Sequence, residues 1–412
     1  MISVSEALAT ILAQVQPLGA ERVVITEALN RVLAEDIRAP FHVPPFDNSA
    51  MDGYAVRHAD ISSATPDQPL TLPVAYDLPA GALPPAPLPP GTAVRIMTGA
   101  VLPEGADTVV MQEDTVAHEG MVSILKAPFQ GANIRHSGED IRAGELLFPR
   151  GTTVRPGHIG TLASIKRAIV SVYQRPRVAI VSTGDELVDI DQDLVPGKIV
   201  TSNSYSLAAL VADSGSLPLV LNIARDTHAS LKERLSEALH ADLILTSGGV
   251  SVGDYDFVKP VLQELGLAMK FWKVAMRPGQ PLAFGTIGTV PVFGLPGNPV
   301  SAMVSFEQFV RPALRKMCGC TKLYRRTITA RSRNRIAARQ GRMFFVRCVV
   351  SEENGVYYAT TTGEQGSGIL TSMARANGLM IVPDTGTDVA PGDTVRVQLL
   401  DPDFGFTDTP TG

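Results

Sequence analysis

Three short loops hold the residues best suited to chemistry: Thr183-Gly184-Asp185-Glu186, Ser247-Gly248-Gly249-Val250-Ser251 and Leu295-Pro296-Gly297-Asn298-Pro299. In the first, which follows Ser182, glycine permits a tight turn and two carboxylates offer hard oxygen to a divalent cation. In the second, glycines and serines let backbone amides approach an anion closely. In the third, Asn298 suits an N-cap and Pro299 a first helical position, which leaves helix N-terminal amides available to an anion. None of the three matches the GxxxxGK[ST] or GxGxxG patterns, and a lone Gly-Gly is ordinarily a turn. Together, at successive strand ends, they point to a phosphate-bearing ligand.

Lys273 and Arg277, in Trp272-Lys273-Val274-Ala275-Met276-Arg277-Pro278-Gly279-Gln280-Pro281, bring positive charge between the second and third loops, although a solvated strand face would use the same residues. Trp272 reads as core or interface filler. Asp47, Asp52, Asp140 and Asp226 occupy loops, where an isolated aspartate is ordinarily a cap or turn former. Thr98 sits in Arg95-Ile96-Met97-Thr98-Gly99-Ala100. His136, His158 and His228 show no metal-ligand spacing.

The elements that must position these loops are legible from periodicity. Apolar runs at 178–181, 243–246 and 290–295 alternate with helical spacing at 204–212, 228–239, 257–265 and 299–317. That alternation predicts a mostly parallel sheet covered on both faces. The first 40 residues read as helical up to Pro40, opened by a capping box at Ser3-Val4-Ser5-Glu6. Residues 66–90 are dense in proline, which suits loops and edge strands. Strand-like runs at 93–97, 108–111 and 122–125 mark a β-rich insert, and runs from 326 to 400 mark a small terminal β domain.

The predicted fold class is therefore multidomain α/β plus β. Residues 1–40 and 141–175 form a helical or mixed linking domain, 41–140 a β-rich insert, 176–325 the central α/β domain and 326–412 a C-terminal β domain. The chain has 412 residues, 45% hydrophobic and 19% charged, a composition that excludes global disorder. With 36 Lys and Arg against 41 Asp and Glu the net charge is −5, a poor match to nucleic acid. Three cysteines, Cys318, Cys320 and Cys348, are too few for a disulfide framework and read as fillers in a reducing compartment. No apolar run reaches spanning length and the N-terminus lacks a secretory pattern, so a cytoplasmic, non-membrane protein is expected.

Five motifs, in order along the chain, resemble those of the molybdopterin molybdenumtransferase (MoeA) family, to which the C-terminal domain of gephyrin also belongs. They are Pro45-Phe46-Asp47-Asn48-Ser49-Ala50-Met51-Asp52-Gly53-Tyr54-Ala55, Ile96-Met97-Thr98-Gly99-Ala100, Ser182-Thr183-Gly184-Asp185-Glu186-Leu187, Ser247-Gly248-Gly249-Val250-Ser251 and Leu295-Pro296-Gly297-Asn298-Pro299-Val300-Ser301. The resemblance implies a four-domain protomer, a homodimer and insertion of molybdate into adenylylated molybdopterin with release of AMP, with Mg²⁺ as the metal. It also implies a cleft shared between the α/β domain and the partner's insert. A molybdopterin adenylyltransferase and molybdoenzyme-maturation proteins are the partners it implies. Carried over by motif, the functional positions are Asp52, Thr98, Asp140, Glu186, Asp226, Asp256, Lys273, Arg277, Pro296, Pro299, Arg347 and Ser367. Of these, Glu186, Asp226 and Asp256 would hold Mg²⁺, and Lys273, Arg277 and Arg347 would balance phosphate or molybdate. Ser182, Thr183, Gly184, Gly248, Gly249, Ser251, Gly297 and Asn298 would complete the substrate site. Arg277 and Gln280 stand where the family often has lysines, which bears on oxyanion affinity and on molybdate-versus-tungstate preference. A receptor-clustering scaffold and a nucleotide-processing hydrolase are the competing readings.

Overall fold

Three parallel strands, almost wholly buried, frame the central domain: Arg177–Ser182, Leu243–Ser247 and Val290–Leu295. The computed structural model describes residues 1–249 and 258–405. The six-stranded sheet runs in the order Leu217–Val220, Arg177–Ser182, Leu243–Ser247, Val290–Leu295, Pro281–Ile287, Leu267–Lys273. The first four strands are parallel and the last two pair antiparallel. The change of direction comes at Gly288-Thr289, a two-residue connection with Gly288 at positive φ.

Period-two alternation sorts these strands onto two cores. Val178, Ile180, Leu243, Leu245, Phe293 and Leu295 face one side, packed with Leu207 and Val211 of the Ser202–Asp213 helix. Ala179, Val181, Ile244 and Val292 face the other, packed with Leu231 and Leu235 of the His228–Ala238 helix. Apolar residues on both faces are what produced unbroken apolar runs in the sequence. Helical structure from 299 to 317 is interrupted by a π turn at Phe306–Val310.

Two expectations for the N-terminal segment are corrected. The capping box forms, with Ser3 and Glu6 exchanging hydrogen bonds, but the helix spans only Val4–Gln14. Gln16 precedes Pro17 and is thereby steered out of the helical region. The β-branched Val23 and Val24 then join the strand Ala20–Val24, which pairs with Ile169–Tyr173. The helix also joins a different core from the one expected. Ala7, Ile11 and Val15 pack with the α/β domain, whereas Leu33, Ile37, Val154 and Leu162 form the separate core of the linking unit.

The insert is a six-stranded sheet ordered Thr108–Met111, Gly53–Val56, Ala93–Ile96, Leu70–Leu78, Met121–Ile124, Thr115–His118. The proline-rich segment, expected to hold loops and edge strands, supplies a nine-residue strand inside the sheet order. Its first half, through Pro73, pairs with Met121–Ile124, and from Val74 it pairs with Ala93–Ile96. Pro73 thus sits where only one edge is paired, as a residue without an N–H requires. In the terminal domain five strands, from Thr327–Ser332 to Thr394–Leu399, pair in a closed ring, which leaves no free edge among them. No helix among the described residues is long and apolar enough to cross a membrane.

Candidate active site

The carboxyl ends of the three parallel strands open into a cleft of about 760 Å³, the place where doubly wound sheets bind ligands. Ser182, Thr183, Gly184 and Glu186 line it after the first strand, and Gly248 and Gly249 after the second. Pro296, Gly297, Asn298 and Pro299 line it after the third, and Asp226 enters from the loop beyond Leu217–Val220. Eleven of the residues expected from the sequence are therefore brought together. Ser251 and Asp256 lie outside the described residues.

Hydrogen bonds between loops fix the acidic corner. Asp226 accepts from the Thr183 hydroxyl at 3.0 Å and from the Asp185 amide at 3.3 Å, and the Asp226 amide donates to Asp185 Oδ1 at 3.2 Å. Gly184 has φ +150°, a backbone conformation that other residues rarely adopt. Gly248 has φ +94° and a Cβ on it would meet the Thr183 carbonyl at 2.9 Å.

Two amides expected to face an anion are already engaged. The Gly248 N–H donates to the Leu295 carbonyl at 3.2 Å, and the Val300 N–H donates to the Ser367 carbonyl at 3.1 Å. Asn298 holds the N-cap position, but its side chain makes no capping hydrogen bond. The described lining contains two carboxylates and neither lysine nor arginine.

Lys273 is one strand removed from the cleft, opposite the cleft-lining Pro281 in register. Arg277 stacks over the Phe344 ring at 5.8 Å. Arg347 is 1% exposed and does not line the cleft. Its guanidinium donates to Ser372 Oγ and the Gly366 carbonyl, both at 3.0 Å, and burial pushes its pKa down to about 10. Arg347 thus holds the turn that carries Ser367, whose carbonyl caps the helix at Val300, and Gly368, which lines the cleft. Replacing Arg347 with Met should lower stability by about 2–3 kcal/mol, because buried acceptors lose their donor. A urea midpoint equal to that of the wild type would show that the turn does not depend on the guanidinium.

Asn203, which sequence reading missed, ties two of the loops together. Its Nδ2 donates to Ser247 Oγ at 2.8 Å and to the Gly297 carbonyl at 2.7 Å. A carbonyl can only accept, so the orientation of the amide is set. Oδ1 is left buried without a partner among the described residues. The clue was the run Thr201-Ser202-Asn203-Ser204, a concentration of capping residues just where a helix begins.

A second cluster forms in the insert. Asp52 Oδ1 accepts from the Thr98 amide and hydroxyl, each at 2.7 Å, and the amide first, then the hydroxyl, holds the carboxyl below its usual pKa. Asp47 accepts from the Ser137 amide at 2.7 Å, and Asn48–Ser49 pairs with Ile134–Arg135. These contacts bring the loop bearing Asp140 beside the loop bearing Asp52. Asp52, Thr98 and Asp140 are exposed, and none lines the strand-end cleft.

Fold and cleft together define a multidomain α/β protein with the MoeA fold. Residues 2–165 match the MoeA N-terminal region (domain I and II), 179–316 a probable molybdopterin binding domain, and 329–400 the MoeA C-terminal region (domain IV). The chain belongs to the molybdopterin molybdenumtransferase family. It is 41% identical over 379 residues to the molybdopterin molybdenumtransferase of Nostoc sp., covering 90% of this chain and 87% of that one. It is 37% identical over 404 residues to that of Haemophilus influenzae, covering 97% and 98%. A crystal structure of the molybdopterin biosynthesis MoeA protein from Pyrococcus horikoshii superimposes with a TM-score of 0.82 at 31% identity, covering 97% of this chain and all (100%) of that one.

Proposed function

We propose that this protein inserts molybdate into adenylylated molybdopterin, releasing AMP and yielding molybdenum cofactor. The observation that carries the proposal is the strand-end cleft, whose walls are the loops that also carry the family's motifs. Its size falls within the range of small-molecule sites.

Electrostatics supports a divalent cation. A phosphoanhydride and a molybdate dianion would be repelled by a lining that holds two carboxylates and no cationic side chain among the described residues. No group of three metal-ligating side chains occurs among the described residues. Glu186 and Asp226 nevertheless supply oxygen donors of the kind Mg²⁺ takes, and Asp256 is the third proposed ligand. When bound, Mg²⁺ would neutralise phosphate charge as the anhydride is cleaved. Thr183 and the Asp185 amide orient Asp226 for that task. Asn203 keeps the second and third loops in register, and Arg347 acts at one remove, through the Ser367 turn. Lys273 and Arg277 add positive potential from the neighbouring strands.

The homodimer, with Asp52, Thr98 and Asp140 reaching the partner's cleft, is part of the same proposal. Exposed Ile190, Leu194, Val195 and Ile199 in the segment that leads back to the cleft support it, since apolar patches of this kind mark interaction surfaces. A cytoplasmic location and exchange of substrate with a molybdopterin adenylyltransferase and molybdoenzyme-maturation proteins complete the reading. Expression in a bacterial strain lacking this step is expected to restore molybdoenzyme activity. A dimeric protein that fails to do so would point to a scaffold instead.

A further inference from the structure

The opposite end of the α/β domain carries a second cavity, of about 850 Å³. It lies at the amino ends of the strands Arg177–Ser182 and Leu217–Val220, bordered by residues 173–175 and 214–218. A six-residue strand rises roughly 3.3 Å per residue, so the two sites stand about a strand length apart.

Its charge is one-sided. Arg31, Arg155, Arg175, Arg311, Arg315 and Arg325 line it, with Asp213 the one acidic residue in the lining among the described residues. Three of the arginines are neutralised. Arg31 pairs with Glu21, while Arg311 and Arg325 share Glu307 and Asp213 at 2.7–3.0 Å. The other three have no carboxylate partner among the described residues. Arg155 donates to the Asn30 side chain, Arg315 to the Lys322 carbonyl, and Arg175 makes no described side-chain contact. Three ion-paired arginines against three carboxylates leave three positive charges over. Cys318 and Cys320 do not offset them, because burial raises both thiols, that of Cys318 to about 11, and keeps them neutral.

We infer that this cavity binds a small anion bearing two or more phosphate groups. The three uncompensated guanidiniums come from separate segments: the start of the Pro156–Ser164 helix, the turn before Arg177–Ser182 and the Arg311–Met317 helix. A ligand that meets more than one of them must spread its charge, and guanidinium forks match phosphate oxygens bidentately.

Calorimetric titration of inorganic pyrophosphate into the full-length protein tests the site. Binding is expected in the wild type and should weaken at least about tenfold in Arg175→Gln/Arg315→Gln, as two charge-assisted contacts are lost. AMP release at the strand-end cleft should be unchanged in that variant, which separates this inference from the cleft's chemistry. Pyrophosphate should also slow alkylation of Cys320. If the double variant proves unstable, Arg175→Gln alone carries the test, since it removes no described contact. Binding that is absent in the wild type, or equally tight in the variants, overturns the assignment. Tighter binding of ATP than of pyrophosphate would identify a nucleotide as the source of the phosphates.

Discussion

A mixture of Asp52→Asn and Glu186→Gln protomers, allowed to exchange, is expected to regain about a quarter of wild-type AMP release, although each variant alone is nearly inactive. The arithmetic follows from a site shared across a two-fold axis. Half of the dimers are mixed, and each mixed dimer has one intact site and one doubly altered site. The structural basis is the separation of the two acidic clusters within one chain. Glu186 lines the strand-end cleft, whereas Asp52 is exposed in the insert, hydrogen-bonded to Thr98 and outside that lining. A mixture that stays inactive while eluting as a dimer would mean that the insert does not complete the partner's cleft.

Glu186→Gln and Asp226→Asn are each expected to slow AMP release by roughly 10²–10³-fold, the scale of removing a preorganised electrostatic group. The two variants should differ in stability. Glu186 makes no side-chain hydrogen bond among those described, so its replacement should leave the melting temperature unchanged. Asp226 accepts from Thr183 and Asp185; an asparagine can accept from the Asp185 amide and donate to the Thr183 hydroxyl, but it loses the charge assistance of both bonds, at a cost of about 1 kcal/mol. If the carboxylates act through Mg²⁺, each variant should also need more magnesium for half-maximal rate. Wild-type rates in both would remove the cleft carboxylates from the mechanism.

How much of this was legible in the sequence depended on how local the signal was. The strands ending at Ser182, Ser247 and Leu295 were read almost to the residue, because burial on both faces writes itself as an unbroken apolar run. The loops after them carried the motifs, so ten of the cleft residues could be named from them, and Asp226 from the family resemblance. The destination of the first helix was not legible: an amphipathic face shows that Ala7 and Ile11 are buried, not which core receives them. Arg347 came from the family resemblance, as a cation that would balance phosphate or molybdate. Its burial follows from strand pairing with Gly378–Val382, more than 30 residues away, and from the turn it holds. The second cavity left no local trace, since its arginines are scattered from position 31 to position 325.

The most direct measurement is a single turnover of the wild-type protein with adenylylated molybdopterin and magnesium, with and without molybdate. The account predicts one AMP released per molybdopterin, dependent on molybdate. AMP released equally fast without molybdate would make the protein a hydrolase of the adenylate, and no AMP release under either condition would contradict the proposed reaction altogether.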